Sequence, residues 1–323
     1  MPHATELPLL RRSLLQASLA AVAVSTTVRS VAAAAPPPLS EIVDCHTHFY
    51  DPERKEGVPW PSKQDKVLYR SVLPTEFQQL TKPLGITGTI VVEASPWVED
   101  NQWLLDLADR NPFIVGVIGN LKPGTPDFVK HVERFADNER FRGIRVNVGD
   151  LKAGLDQPDY VNDLRVLSAA KLTLDVNGGP DTPARVARLA EMLPRLRIVI
   201  NHCGNLKIDG QPPPAEWLAG MQAAVRHQRV YCKVSALVEA TGKRDGDAPL
   251  SGDFYKPVLD ALWKTWGDRR LIYGSNWPVS TRAASYGDLL QIVRDYVSRH
   301  RPAAERDYFF LHNSVAAYRW KTR

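Results

Sequence analysis

Cysteine is scarce in this sequence: among 323 residues there are three, Cys45, Cys203 and Cys232. Each lies inside an apolar run that has the composition of a strand. An odd number without paired spacing argues against a disulfide framework. We therefore interpret the three residues as small buried thiols.

Two other features are missing, and each excludes a class of partner. No block of basic residues is interleaved with aromatic residues, so nucleic acid is not an expected partner. The apolar stretch from Leu14 to Val28 is interrupted by serine and threonine and is too short for a membrane-spanning helix.

The hydrophobic content of 44% and the charged content of 24% are ordinary for a protein with a full core. We expect a small-molecule ligand, and the sequence carries no signal of oligomeric state.

The first 35 residues have the pattern of an export signal. Residues 11–15, Arg-Arg-Ser-Leu-Leu, form a twin-arginine start that is followed by the apolar stretch and a small-residue cleavage zone. Three prolines then begin a stiff spacer over residues 36–40. We predict a twin-arginine-type signal peptide at 1–35, this spacer, and a folded domain at 41–323. Export to the periplasm or another extracytoplasmic compartment is the expected fate.

An alternation of strand-like and helix-like segments runs through the rest of the chain. Apolar, β-branched runs lie at Glu41–His46, Ile86–Glu93, Phe113–Leu121, Gly143–Val148, Leu172–Val176, Arg197–His202, Arg229–Val234 and Arg270–Gly274. Between most of them, apolar residues recur three or four positions apart, which is typical of helices. Eight such units predict a single (β/α)8 TIM barrel of the α/β class. A doubly wound open sheet would show a glycine-rich turn after its first strand, where this chain has His46-Thr47-His48.

Polar and ionisable residues gather at the ends of these predicted strands. In a TIM barrel the C-terminal strand ends carry the active site. Histidine, lysine and arginine are not turn formers, so their presence at these ends favours a functional site over simple turn chemistry. The candidate site residues are His46, His48, Glu93, Arg145, Asn177, His202, Lys233, Ser235 and Asn276.

Five short motifs follow one another in an order that resembles a known family. They are Asp-x-His-x-His at 44–48, Gly-Ile-Arg at 143–145, Ile-Asn-His-Cys-Gly at 200–204, Cys-Lys-Val-Ser at 232–235 and Gly-Ser-Asn-Trp-Pro at 274–278. Together they resemble the second amidohydrolase-related family, and within it the lactonase-like branch of sugar-lactone and pyrone-dicarboxylate lactonases. Residues 311–318 are similar to the C-terminal Asn-Ala-x-x-x-Tyr helix of that family.

The resemblance implies roles for several of the candidate residues. His46, His48 and His202 would surround the reacting centre, as catalytic groups or as ligands of a divalent metal. Arg145 and Lys233 match basic positions that hold a substrate carboxylate or polarise a carbonyl group.

At two positions the chain departs from the family pattern. Metal-binding relatives often carry a histidine on strand five, where this chain reads Asp175-Val176-Asn177. The family's aspartate on strand eight, a general base or metal ligand, is Asn276 here. An amide cannot take a proton from water near neutral pH, and its oxygen is a weaker metal ligand than a carboxylate.

Three explanations of Asn276 stay open from the sequence. Another group could be the base, with Glu93, Asp175 or a histidine as candidates. A metal on the three histidines could generate hydroxide unaided. Hydrolysis could instead be lost and a binding role kept. The expected cofactor is therefore a weakly bound divalent metal such as zinc, or no metal.

The resulting functional prediction is a hydrolase that opens a small lactone by attack of water. The expected substrate is a sugar lactone or a related carboxylate, and the expected activity is of the EC 3.1.1 type. The alternatives are a metal-dependent decarboxylase or amide hydrolase of the same family, and a non-catalytic ligand-binding barrel motivated by Asn276.

Overall fold

A computed structural model describes residues 41–322, and the predicted signal peptide and spacer lie outside these residues. Eight parallel strands pair in sequence order from β1 to β8. They are β1 (Val43–Thr47), β2 (Gly88–Val92), β3 (Ile114–Gly119), β4 (Phe141–Asn147), β5 (Thr173–Asn177), β6 (Arg197–Ile200), β7 (Val230–Val234) and β8 (Leu271–Tyr273).

Helices lie between the strands and after the last one. They are α1 (Pro74–Thr81), α2 (Val98–Arg110), α3 (Phe128–Ala136), α4 (Val148–Gly154), α5 (Pro158–Ala169), α6 (Thr182–Met192), α7 (Ala215–Ala224), α8 (Gly252–Trp266), α9 (Tyr286–His300), α10 (Ala303–Asp307) and α11 (Asn313–Tyr318). None of the helices in residues 41–322 combines the length and the apolar character needed to cross a membrane.

The sheet closes where the segment after β8 meets β1. The His48 amide donates to the Trp277 carbonyl at 2.8 Å, and the Asn276 amide donates to the His46 carbonyl at 2.8 Å. The predicted (β/α)8 barrel is therefore confirmed, and each predicted strand agrees with the structure within two residues at either end. The strands could be predicted because strands of a parallel barrel are buried on both faces and therefore consist of continuous apolar runs.

Side chains from the strands and from the C-terminal segment fill the barrel interior. Val43 and Cys45 of β1 pack there with Tyr318 of α11 and with Trp320. The Thr173 hydroxyl and the Arg197 guanidinium both donate to the Ala317 carbonyl, which fixes α11 across the base of the barrel. All three cysteines are buried free thiols, as the sequence predicts.

Candidate active site

A bulge in β1 aims two histidines at the same space. Between Asp44 and Thr47, three steps along β1 oppose two steps along β2. Bulges of this kind re-aim a side chain and are common beside active sites. The rings of His46 and His48 consequently lie together, with their centroids 5.1 Å apart.

His48 is held by two backbone carbonyl groups. Its Nδ1 lies 2.9 Å from the Val92 oxygen and 3.1 Å from the Glu93 oxygen. Both oxygens only accept, so Nδ1 carries the ring proton and Nε2 keeps its lone pair. Burial, and after it the positive charge of Arg145, lowers the pKa of His48 to about 3. The ring is therefore neutral at physiological pH.

His46 lies deeper, on top of a fully buried polar stack. The Lys233 ammonium is 3.3 Å from His46 Nδ1 and donates to Asp175 at 2.7 Å. The Tyr318 hydroxyl donates to the same carboxylate at 2.9 Å, from below. Burial first, and then Lys233, holds the pKa of His46 well below its ordinary value. Its buried Nε2 has no hydrogen-bond partner among the described residues.

His202 stands at the start of an irregular turn after β6. Its Nδ1 shares a hydrogen bond of 2.9 Å with the Ser235 hydroxyl, which also accepts from the His202 amide. The ring centroids of His202 and His46 are 4.3 Å apart. Burial, followed by Arg145, holds the pKa of His202 well below its ordinary value. A third neutral imidazole therefore joins the group.

Three consecutive strands turn through the left-handed backbone region as they reach the site. His202 after β6, Ala236 after β7 and Asn276 after β8 have φ values of +54°, +54° and +64°. Each such residue costs on the order of 1–3 kcal/mol and persists only where its surroundings enforce it. Asparagine and histidine adopt this region more readily than other residues, so Ala236 is the position where the surrounding barrel has to enforce the turn.

A cavity of about 670 Å³ opens above these side chains. Arg145 on its wall donates from Nε to Glu93 Oε1 at 2.7 Å and from an NH2 group to the Glu93 carbonyl at 2.9 Å. The predicted site residues on the wall are His48, Glu93, Arg145, Asn177, His202 and Asn276.

Three predicted site residues lie beneath the wall. His46, Lys233 and Ser235 are buried and do not line the cavity. Lys233 contacts His46, and Ser235 contacts His202. Both side chains orient a histidine in this arrangement, and the predicted substrate contact at either one stays a prediction.

The predicted ligand set of three histidines does not fit a divalent metal as the rings are arranged. An ammonium group only donates, so His46 Nδ1 accepts from Lys233 and the proton of a neutral ring sits on Nε2. A metal ligand needs a free lone pair, which Nε2 of His48 has and Nε2 of His46 lacks. Among residues 41–322, no three His, Cys, Asp or Glu side chains are grouped as a cation site.

Asn276 lies between His48 and a carboxylate that the sequence analysis did not single out. Its Oδ1 lies 3.2 Å from His48 Nε2, with no shared proton in the neutral ring, and its Nδ2 donates to Glu239 Oε1 at 2.8 Å. Burial raises the pKa of Glu239 to about 7, against the smaller opposing effect of its hydrogen bonds. Glu239 follows β7 by five residues and lines the cavity. Its closeness to a strand end was the signal that could have identified it.

The chain matches the amidohydrolase family over residues 43–320. Among curated proteins, the L-fucono-1,5-lactonase of Burkholderia ambifaria is 31% identical over 248 residues, which is 76% of this chain and 83% of that protein. The L-fucono-1,5-lactonase of Burkholderia multivorans is 28% identical over 85% of this chain and 95% of its own length.

Solved structures give the same result for the fold. A Burkholderia multivorans amidohydrolase with bound HEPES has a TM-score of 0.79 and 25% identity, over 87% of this chain and all of that one. A second structure described in the same terms, with bound zinc, has a TM-score of 0.76 and 24% identity over the same 87% of this chain and 100% of its own. A Pseudomonas putida protein described as a putative 2-pyrone-4,6-dicarboxylic acid hydrolase has a TM-score of 0.68 at 19% identity, over 87% of this chain and 98% of its own. The chain belongs to the amidohydrolase family.

Proposed function

We propose that this protein is a hydrolase that opens the ring ester of a small sugar lactone, of the kind named for its L-fucono-1,5-lactonase relatives. The observation that carries the proposal is the cavity of about 670 Å³ at the C-terminal strand ends, which two neutral imidazoles and the Arg145–Glu93 pair line. Cavities of roughly 300–1,000 Å³ are typical of small-molecule sites.

The lining groups suit an uncharged, hydroxyl-rich ring. Neutral His48 and His202 offer ring nitrogens for hydrogen bonds, and Asn177 offers an amide. Arg145 has guanidinium hydrogens beyond those that Glu93 uses, and these are placed to stabilise negative charge that develops on a lactone carbonyl oxygen. Lactones are activated esters and are opened more easily than amides. Besides this electrostatic support, the reaction requires a group that accepts a proton from the attacking water.

The two alternatives find less support in the site. A metal-dependent decarboxylase or amide hydrolase needs a tightly held metal, and the ammonium of Lys233 against His46 opposes a three-histidine ligand set. A purely binding barrel gives no reason for a partly buried carboxylate beside Asn276 in the cavity. We propose that any divalent metal in this protein is weakly held and easily removed by a chelator.

We also propose that the protein is exported through the twin-arginine route. The support is the twin-arginine start at residues 11–15 with its apolar and small-residue segments. Cell fractionation with Arg11 and Arg12 both replaced by lysine tests this. Loss of the mature protein from the periplasm is expected, and unchanged export would contradict the proposal.

The catalytic proposal is tested with a panel of lactones and a chelator-treated sample. Wild-type protein should open L-fucono-1,5-lactone or D-glucono-1,5-lactone well above the spontaneous rate, with proton release as the readout. His202→Ala should lower kcat by about 10²-fold or more, the scale of a lost polar catalytic contact. Its thermal unfolding should change little, because His202 faces the cavity. A wild-type rate equal to the spontaneous rate on every lactone would exclude the proposal.

A further inference from the structure

Asn276 leaves the site without the carboxylate that the family pattern puts after β8. Lactone opening, the proposed function on which this inference rests, needs a group that takes a proton from water. Two carboxylates line the cavity among the described residues, Glu93 and Glu239. Glu93 forms an ion pair with Arg145, whose Nε donates to Glu93 Oε1 at 2.7 Å.

Glu239 has the opposite surroundings. Its Oε1 accepts from Asn276 Nδ2 at 2.8 Å, while its Oε2 is buried and has no hydrogen-bond partner among the described residues. A buried carboxylate oxygen without a partner is costly, and in a native protein it calls for an explanation such as a catalytic role. Here the unpartnered oxygen belongs to a side chain on the cavity wall.

We propose that Glu239 is the general base that activates water in this site, in place of the aspartate that Asn276 replaces. Asn276 is then a positioning residue: its amide donates to Oε1 of Glu239 and holds the carboxylate at the cavity wall.

The proton balance of the reaction is closed by Glu239 alone. The Glu239 carboxylate takes a proton from water as the water oxygen bonds to the lactone carbonyl carbon, and the electron pair of the C=O bond moves to the carbonyl oxygen. When that pair returns, the ring C–O bond breaks and the ring oxygen receives the proton from Glu239. The product is an open hydroxy acid, and the carboxylate is restored.

The charges around Glu239 suit this role. Arg244 on the same loop favours the ionised form weakly, the Tyr255 hydroxyl faces it from α8, and Asn276 faces it from the β8 end. Because burial outweighs the opposing effects, the pKa of Glu239 rises to about 7. A base with a pKa near the working pH combines a useful ionised fraction with enough basicity.

The test compares three variants of the full chain on a lactone that the wild type opens. Glu239→Gln keeps the size and an acceptor for Asn276 but cannot take the proton, so kcat should fall by about 10²-fold or more. The rise of kcat/KM with pH near 7 should disappear with it. Glu239→Ala should regain activity when formate is added, because a small carboxylate can enter the space. Glu216→Gln, an exposed glutamate in the first turn of α7, should match the wild type.

The outcomes separate this inference from the proposed function. A wild type that opens no lactone removes the proposed function and this inference together. If the wild type is active and Glu239→Gln has the same kcat and the same pH profile, this inference is overturned and the proposed function stands. If Glu239→Gln fails to fold, the formate response of Glu239→Ala decides: rescue supports the role, and a soluble, folded Glu239→Ala with wild-type activity in the absence of formate contradicts it.

Discussion

Two buried polar groups at the mouth of the barrel differ in their hydrogen bonding from two at its base. At the mouth, His46 Nε2 and Glu239 Oε2 are buried and have no hydrogen-bond partner within residues 41–322. At the base, Arg197 donates to the Ala317 and Lys171 carbonyls, and Asn313 donates to two carbonyls before and within β8. Arg197 and Asn313 at the base are thus anchored to backbone carbonyls, whereas His46 and Glu239 at the mouth each keep one ring or carboxylate atom without a partner among the described residues.

Charge follows the same division. The mouth holds neutral imidazoles, the Arg145–Glu93 pair, and one residue of each charge on the cavity wall, Lys207 and Glu239. A cavity at the base is lined by six cations and by no aspartate or glutamate of the described residues. They are Arg165, Lys171, Arg195, Arg197, Arg229 and Arg319. Arg319 and Arg229, after burial, contribute to lowering the pKa of Arg197 to about 10. The Arg197 guanidinium stays in this cluster of like charges because the Ala317 and Lys171 carbonyls accept its hydrogen bonds.

The largest effect is expected where the two ends are joined, at the Lys233–Asp175 pair. Lys233→Met leaves the buried carboxylate with Tyr318 as its one described side-chain partner, so the free energy of unfolding should fall by about 3–5 kcal/mol. Urea denaturation measures this, with Lys256→Met, from a half-exposed pair on α8, as the control that changes stability by less than about 1 kcal/mol. A loss below about 1 kcal/mol for Lys233→Met would mean that the stack does not support the site.

A smaller effect, with a defined pH dependence, is expected from Glu239 at the mouth. Its folded-state pKa is raised from 4.5 to about 7, so the native state holds a proton that the unfolded state has released between these values. The stability that this proton contributes is present below about pH 4.5 and is lost as pH rises through about 7. Glu239→Gln removes this titration. The free energy of unfolding of the variant minus that of the wild type should therefore be about 2–3 kcal/mol larger at pH 8 than at pH 4.

The matched control for that measurement is Glu139→Gln. The pKa of Glu139 is lowered by its bond to Lys321, so its contribution has the opposite sign. Denaturation curves at pH 4 and pH 8 separate the two cases. Equal stability differences at both pH values for Glu239→Gln would contradict the raised pKa of Glu239.

The smallest effect is expected at the base. Arg195→Gln removes one of six like charges and should raise the free energy of unfolding by a few tenths of a kcal/mol at low ionic strength. The gain should vanish in about 1 M salt, where charges are screened beyond roughly 3 Å. Arg185→Gln, from an Arg–Asp pair on α6, is the control and should show no gain. Thermal unfolding at two salt concentrations decides, and a salt-independent gain would argue against repulsion.

The sequence predicts the strands and their polar ends because both follow from local composition. The sequence does not predict how deep each polar side chain lies along the barrel axis. Lys233 and Ser235 both follow the apolar start of β7, yet both lie below the cavity and hold histidine rings. The bulge that re-aims His46 depends on pairing between β1 and β2, which no local pattern records.

Glu239 shows a different limit of sequence analysis. It belongs to no periodic segment and to none of the motifs, and the turn at Ala236 brings it back over the cavity. Its chemistry comes from burial and from Asn276, a residue 37 positions later. Only the folded chain brings the two together.

The contact between Tyr318 and Asp175 joins residues that are 143 positions apart. During synthesis, Asp175 and Lys233 leave the ribosome before Tyr318, so the Tyr318 hydrogen bond to Asp175 is among the last contacts that the chain can make. Contacts of such long sequence separation form late and slow folding. The contact between Tyr318 and Asp175 therefore ties completion of the buried stack to the last helix of the chain.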